Sequence, residues 1–286
     1  MPENCIKSDI VKTIFKSASL TEEFLTNGYV VLPFLSENEL SELSALFDKY
    51  KPRFGDYSIY SNLEDNDLEI NLYIEHKIRE LFTRSVEKYF CDYKIFGGSY
   101  LVKGLGENSD TQLHQDWNAV DENKDISLSI WVPLADVNES NGCLQVIPGS
   151  HRWFSTIRSA NFPSLYVKVD PELECKTVSI PVKAGTAVVF ALNLFHGSKP
   201  NKTGDIRKAV HLALVNNDAQ IIHYVRATEE NTIFKVMCDK DFLYKELFNI
   251  LKGNIPEHLK ILESIPNSHS LRVNEDAFFQ KLNIAN

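Results

Sequence analysis

The 286-residue chain has no uninterrupted run of the roughly 18 apolar residues that a membrane-spanning helix needs. Its five cysteines, Cys5, Cys91, Cys143, Cys175 and Cys238, are odd in number, scattered and free of C-x-x-C pairs. That pattern argues against a disulfide framework and for reduced thiols in the cytoplasm. Cationic residues are outnumbered, 30 Lys and Arg against 39 Asp and Glu, for a formal charge of −9. Phosphate binding needs clustered Lys and Arg, so neither nucleic acid nor an anionic membrane is an expected partner. The short basic stretch at Lys199 and Lys202 reads as a solvated turn. "MPENCIKSDIVK" at the N-terminus lacks the apolar core of a signal peptide, and the terminal "NIAN" is no peroxisomal tripeptide. Internal repeats and low-complexity tracts are also missing. These absences leave a cytoplasmic protein acting on a small molecule, as a monomer or homodimer.

What is present suits one large core, since 43% of the residues are hydrophobic. The spacing predicts a mainly helical part over residues 1–92 around one short strand, "YVVLPF". Gly28 is placed to cap a preceding helix. Ser36 and Glu39 form a capping-box signature before a stripe of Leu40, Leu43, Phe47 and Tyr50. A second stripe carries Ile74, Ile78, Leu81, Phe82, Val86 and Tyr89. The acidic "NLEDNDLE" at 62–69 reads as a solvated loop. From about 93 to 225 the pattern turns to strands, with β-prone runs near 96–102, 111–118, 127–134, 143–147, 176–182, 186–191 and 207–215. Several short strands at this spacing suit a jelly roll or cupin-like sandwich. Residues 226–286 read as a helical extension of the same single domain. In it "KDFLYKELFNILK" places Phe242, Leu243, Leu247, Ile250 and Leu251 on one side of a helix, to pack on the barrel or on a second subunit.

The chemistry is concentrated in two places. "LHQDW" supplies His114 and Asp116, and "FHGS" supplies His196, 82 positions later. Two imidazoles and one carboxylate are the ligand set that leaves open positions on a non-heme Fe(II). Residues two apart on a β-strand share a face, so a strand would present His114 and Asp116 to one ion. Alone, an H-x-D pair is weak, because chance instances abound. Arg207, eleven residues past His196 and behind the turn-rich "GSKPNKTGDI", makes it more specific. In a hairpin Arg207 would return alongside His196, and its guanidinium would hold a carboxylate bidentately. Ser198 would add a hydroxyl hydrogen bond to the same group.

In "TNGYVVLPFLSENEL" (26–40), "LHQDW" (113–117), "SIWVPLADVNESNGCLQVIPGSH" (129–151) and "FHGSKPNKTGDIRKA" (195–209), the chain resembles the phytanoyl-CoA dioxygenase family of Fe(II)/2-oxoglutarate oxygenases. The segments occur in family order and bracket most of residues 20–215. The resemblance implies a double-stranded β-helix with flanking helices. It implies iron held by His114, Asp116 and His196, 2-oxoglutarate held by Arg207 with Ser198, and Trp131 lining the co-substrate pocket. It also implies consumption of O2 and, with release of succinate and CO2, oxidation of an unactivated C–H bond, for which hydroxylation is favoured and desaturation or ring formation are alternatives. Halogenation would need a small residue in place of Asp116. Two rival classes use similar ligands. A zinc hydrolase or lyase would leave Arg207 unexplained, and an idle cupin-like binding protein is expected to have lost a ligand or the clamp.

Other polar and aromatic residues have plainer roles. Residues 152–175 lack periodicity and form either a surface loop or a substrate lid carrying Arg152, Trp153 and Arg158. His211, an even number of residues past Arg207, points inward, more simply as a satisfied core histidine than as part of the metal site. His151 is placed to order a turn, Trp117 to wall a pocket or to pack, and Cys143 to act as a small buried hydrophobe. His76, His223, His258 and His269 have no evident partners.

Overall fold

The computed structural model describes residues 13–50, 58–153, 156–161, 175–227 and 232–266. Two antiparallel sheets face each other. The larger has six strands in the order β1 (Tyr29–Pro33), β8 (Thr186–Ala191), β5 (Ser127–Pro133), β10 (Arg207–Asn216), β3 (Tyr93–Lys103) and β2 (Ile59–Ser61). The smaller has four, β4 (Thr111–His114), β9 (His196–Ser198), β6 (Leu144–Val146) and β7 (Val178–Ile180). This is the jelly-roll, double-stranded β-helix architecture, with both sheets open rather than closed into a barrel.

Three helices, α1 (Ala18–Asn27), α2 (Glu37–Tyr50) and α3 (Leu68–Tyr89), belong to the N-terminal part. Gly28 ends α1 at φ +79°, and its N–H donates to the Phe24 carbonyl. A Cβ there would also meet the His151 ring at 2.4 Å, so both the left-handed backbone and the space demand glycine. The capping box forms, with Ser36 N–H donating to Glu39 at 2.7 Å and Glu39 N–H to the Ser36 hydroxyl at 3.4 Å. Both helical stripes pack on the large sheet, burying Leu43, Phe47, Ile74, Ile78, Phe82 and Val86 against Ile130, Val189, Val210 and Leu212. Each such side chain contributes about 1.5–3 kcal/mol by leaving water.

The opposite face of the same sheet is turned to the interior of the sandwich. Alternation sorts the strands: Leu128, Ile130 and Val132 of β5 lie under the helices, while Ser129 and Trp131 face a cavity. With both faces covered, β5 is buried along its whole length, Ser127 and Ser129 included.

Four expectations are corrected. The N-terminal part contains a second strand, β2. Residues 62–69 are not a solvated loop: Asn62 is buried, donates to Asn71 and accepts from Tyr100 N–H, while Asp67 caps α3 through Ile70 N–H. β9 is a strand, absent from the list of β-prone runs because it is three residues long and half polar. The C-terminal extension is not helical overall. Its described residues contribute β12 (Thr232–Met237) and β13 (Ile261–Pro266) to a three-stranded sheet begun by the preceding β11 (Ile222–Arg226), with one helix, α4 (Phe242–Leu251). Phe242, Leu247 and Ile250 of α4 are buried as expected, Leu243 is partly buried, and Leu251 is exposed. Tyr244 joins α4 to the large sheet, its hydroxyl accepting from Gly98 N–H at 2.6 Å and donating to Gly98 O at 2.5 Å. Within the described residues no helix is long and apolar enough to cross a membrane.

Candidate active site

His114 closes β4 directly opposite His196, the first residue of β9. Gly197 makes the approach of the two strands feasible, since a Cβ there would lie 2.6 Å from the Thr111 carbonyl. Asp116 does not share a strand with His114, because β4 ends at His114 and the carboxylate stands on the loop that follows. Its N–H donates to the Leu192 carbonyl at 2.8 Å, which turns the loop back over the end of β8. Asp116 Oδ1 lies 3.6 Å from Nε2 of each histidine, beyond hydrogen-bond length. All three ligand atoms fall within 4.8 Å of one another, as donors arrayed around one ion do.

The protonation of the rings follows from their other nitrogens. His114 Nδ1 faces the Gln112 carbonyl at 2.8 Å and His196 Nδ1 faces the Leu194 carbonyl at 3.0 Å. Each carbonyl takes an Nδ1–H, so each Nε2 keeps its lone pair and points at the shared centre. Burial resists charging His114, but the Asp116 carboxylate outweighs it and raises its pKa. His196 is pushed down to about 4, chiefly by burial. Burial also opposes charge on Asp116, yet the two imidazoles hold its carboxyl well below the usual range. The carboxylate is therefore ionised at neutral pH, as a metal ligand must be.

The triad opens into a cavity of about 400 Å³ between the sheets. At one end Arg207 begins β10, which lies in the large sheet, whereas β9 lies in the small one. The expected hairpin is therefore not formed. The turn after His196 carries the chain across the sandwich, and Arg207 faces the β9 strand from the other sheet. Its guanidinium lies over the Trp131 ring at 5.1 Å, and its Nε is buried without a hydrogen-bond partner. Burial lowers its pKa to about 10, still charged at neutral pH. A buried cation with no carboxylate beside it among the described residues is costly unless a ligand supplies one. Ser198 and Trp131 line the same end of the cavity.

Sequence reasoning overlooked several neighbours. Lys103, opposite Arg207 on β3, is fully buried and donates to Ser109 O, to Thr111 Oγ1 at 3.2 Å and to Ser198 O at 3.4 Å. It ties the large sheet to both strands that carry the histidines. Burial and the nearby Arg207 lower its pKa to about 7. His223 has partners after all, in Trp117 and Phe242, and lines the far end of the cavity with Cys238 and α4. No periodicity marks His223 or Cys238, which lie outside the strands of the sandwich. His211 does face the cavity, near Asp116, and Trp117 forms part of its wall. The suggested lid contacts are absent: Arg152, Trp153 and Arg158 do not line the cavity, and residues 162–174 of that segment lie outside the described residues. Trp153 packs near Phe195, and Arg158 lies behind the cavity wall, its Nε donating to the Asp116 carbonyl and its terminal nitrogens to Glu122. His151 sits in a turn against Phe24, Cys143 is a buried hydrophobe, and His258 pairs with Glu246. Cys5 and His269 lie outside the described residues.

Histidines outside the triad set an acid limit. Burial, with Arg152 adding repulsion at His151, lowers His151 and His223 each to about 4. Between pH about 6.5 and 4 the unfolded chain binds more protons at these sites than the folded one, so stability falls as pH falls. Each is expected to cost about 1–2 kcal/mol at pH 5, with no further loss below 4. Urea unfolding at pH 7 and pH 5 measures it, and His223→Gln should remove its share of the difference.

Fold and site together define a double-stranded β-helix protein with a two-histidine, one-carboxylate metal site. The model of the phytanoyl-CoA dioxygenase family matches residues 24–209, and the chain belongs to that family. The matched segment contains all three triad residues and Arg207. Among curated relatives, the chain is 25% identical over 192 residues to the dioxygenase olcK of Penicillium canescens, covering 63% of this chain and 58% of that one. It is 34% identical over 130 residues to the phytanoyl-CoA dioxygenase of Arabidopsis thaliana, covering 43% and 45%. The alignments thus span about a quarter to three fifths of the first such relatives, 27% in the case of trt7 of Aspergillus terreus. The non-heme alpha-ketoglutarate-dependent carbocyclase SnoK from nogalamycin biosynthesis shares the fold, with a TM-score of 0.52 at 21% identity, covering 72% of this chain and 86% of that one. The epimerase SnoN, solved with Fe3+, alpha-ketoglutarate and nogalamycin RO, gives 0.53 at 19%, covering 71% and 84%.

Proposed function

We propose that the chain is an Fe(II)- and 2-oxoglutarate-dependent dioxygenase that hydroxylates an unactivated C–H bond of a small-molecule metabolite, releasing succinate and CO2. The observation that carries this reading is the pairing, in one cavity, of the His114–Asp116–His196 donor set with the buried Arg207, whose Nε has no hydrogen-bond partner. Iron held by the triad would supply oxygen activation. Arg207, with Ser198, would hold the distal carboxylate of 2-oxoglutarate against the Trp131 ring. A zinc hydrolase has no use for that cation, and an idle binding protein has no reason to keep both features. Beyond the triad, Phe96, Leu192, Ile222, Phe242 and Leu243 make an apolar wall of the cavity, and the rings of His211 and His223 also face it. A largely apolar substrate with a few hydrogen-bonding groups suits that lining.

Counting positions separates hydroxylation from halogenation. His114, Asp116 and His196 would hold the iron with three side chains, and because Asp116 stands where a halogenase would need a small residue, no place would be left for chloride. Turnover with the correct substrate is expected to insert oxygen, or to remove two hydrogens, with no halide incorporated even at high chloride. Mass spectrometry of the product, alongside succinate release, is the test. A chlorinated product from the unmodified protein would show that Asp116 is not a ligand and would sink the assignment.

A further inference from the structure

We propose that Arg158 is a positioning residue for the metal site, holding the loop that presents Asp116. The inference rests on the reading of His114, Asp116 and His196 as metal ligands. Asp116 needs such support because it lies past the end of β4, where no ladder of strand hydrogen bonds fixes its peptide. On its amide side the Leu192 carbonyl holds it. On its carbonyl side Arg158 Nε donates to Asp116 O at 2.6 Å.

The rest of the guanidinium is committed to the same loop. Both terminal nitrogens fork onto the Glu122 carboxylate, and one also donates to Thr156 O at 2.9 Å. The Arg158 and Glu122 side chains are 8% and 6% exposed, so water does not compete for these bonds. The backbone repeats the link: Arg158 N–H donates to Asn118 Oδ1 at 2.6 Å, and Asn118 N–H to Arg158 O at 3.4 Å. Arg158 thus grips the loop at residues 116, 118 and 122.

The grip needs an anchor, and the C-terminal sheet provides it. Ser159 donates to Tyr224 O, Asn161 Nδ2 to Arg226 O at 2.8 Å, and Arg226 N–H to Asn161 Oδ1 at 3.2 Å. Ile222 N–H donates to Ala119 O at 2.9 Å, so β11 also touches the loop directly. Both the anchor and residues 221–226 lie beyond the stretch matched by the family model. The extension therefore acts on the metal site through Arg158, without touching the ion.

The test is Fe(II) affinity, measured anaerobically by competition with a chromophoric chelator, together with the melting temperature of the metal-free protein. Arg158→Met alone would strand the Glu122 charge in the interior. The informative variant is therefore the double Arg158→Met/Glu122→Gln, which keeps the stem's packing and removes the charge. It is expected to weaken Fe(II) binding about 10- to 100-fold, the usual loss when an outer partner of a ligand is removed. Wild-type affinity in a folded double variant would overturn the proposal. Should the double variant not fold, Arg158→Lys decides, because one ammonium cannot both fork onto Glu122 and reach Asp116 O. Weakened binding there supports the role, and unchanged binding removes it. Failure of the metal reading itself looks different: the wild-type protein would then bind no Fe(II).

Discussion

His196→Ala is expected to abolish Fe(II) binding and, with it, all 2-oxoglutarate turnover. The imidazole is buried, its Nδ1 faces the Leu194 carbonyl, and its Nε2 faces Asp116 across 3.6 Å. No other histidine or carboxylate in the described residues joins the group that could hold an ion, so nothing stands ready to replace it. The loss should exceed the roughly 10- to 100-fold that removal of a ligand's outer partner costs. Phe190 packs on the ring at 4.5 Å, so part of the cavity wall would be disturbed too. Anaerobic titration of Fe(II) separates the two effects, because a packing defect lowers the melting temperature without selectively abolishing metal binding. Undiminished iron binding in the folded variant would remove His196 from the ligand set.

Arg207→Ala should weaken 2-oxoglutarate binding to the Fe(II) protein by about 2–5 kcal/mol, the range for truncating one partner of a buried charge pair. The lower limit is already roughly 30-fold in affinity. Ser198→Ala should cost only about 0.5–1.5 kcal/mol, as for one neutral hydrogen bond. Arg207→Lys should not restore the wild-type value, since an ammonium cannot form the planar fork or lie flat on the Trp131 ring. Anaerobic calorimetry with 2-oxoglutarate compares the three directly. Equal affinity in Arg207→Ala and the unmodified protein would reject the clamp. Intact Fe(II) binding in the same variant would show that the two ends of the cavity act separately.

The helices and most strands were legible because their signals are local. Ser36 and Glu39 satisfy each other's backbone within one turn, Gly28 takes a left-handed conformation that side chains disfavour, and 3.6-residue stripes persist over α2 and α3. β9 was not legible, being too short for periodicity, and neither was β2. The extension misled for a related reason. The stripe of α4 stands out, whereas β11 to β13 have irregular burial and no repeating apolar alternation.

By itself the sequence determined the residue types and order of the donors, His114, Asp116, His196, then Arg207, and hence the chemistry open to the chain. Only the tertiary structure decided how those donors meet. The hairpin expected to carry Arg207 back beside His196 is instead a crossing between sheets, because β9 pairs with β4 and β6 while β10 pairs with β3 and β5. Asp116 reaches the two imidazoles from a loop rather than a strand, held by Leu192 and Arg158, residues 76 and 42 positions away. Such long-range hydrogen bonds leave no periodic trace along the chain, since each depends on which segments the burial of the core brings together.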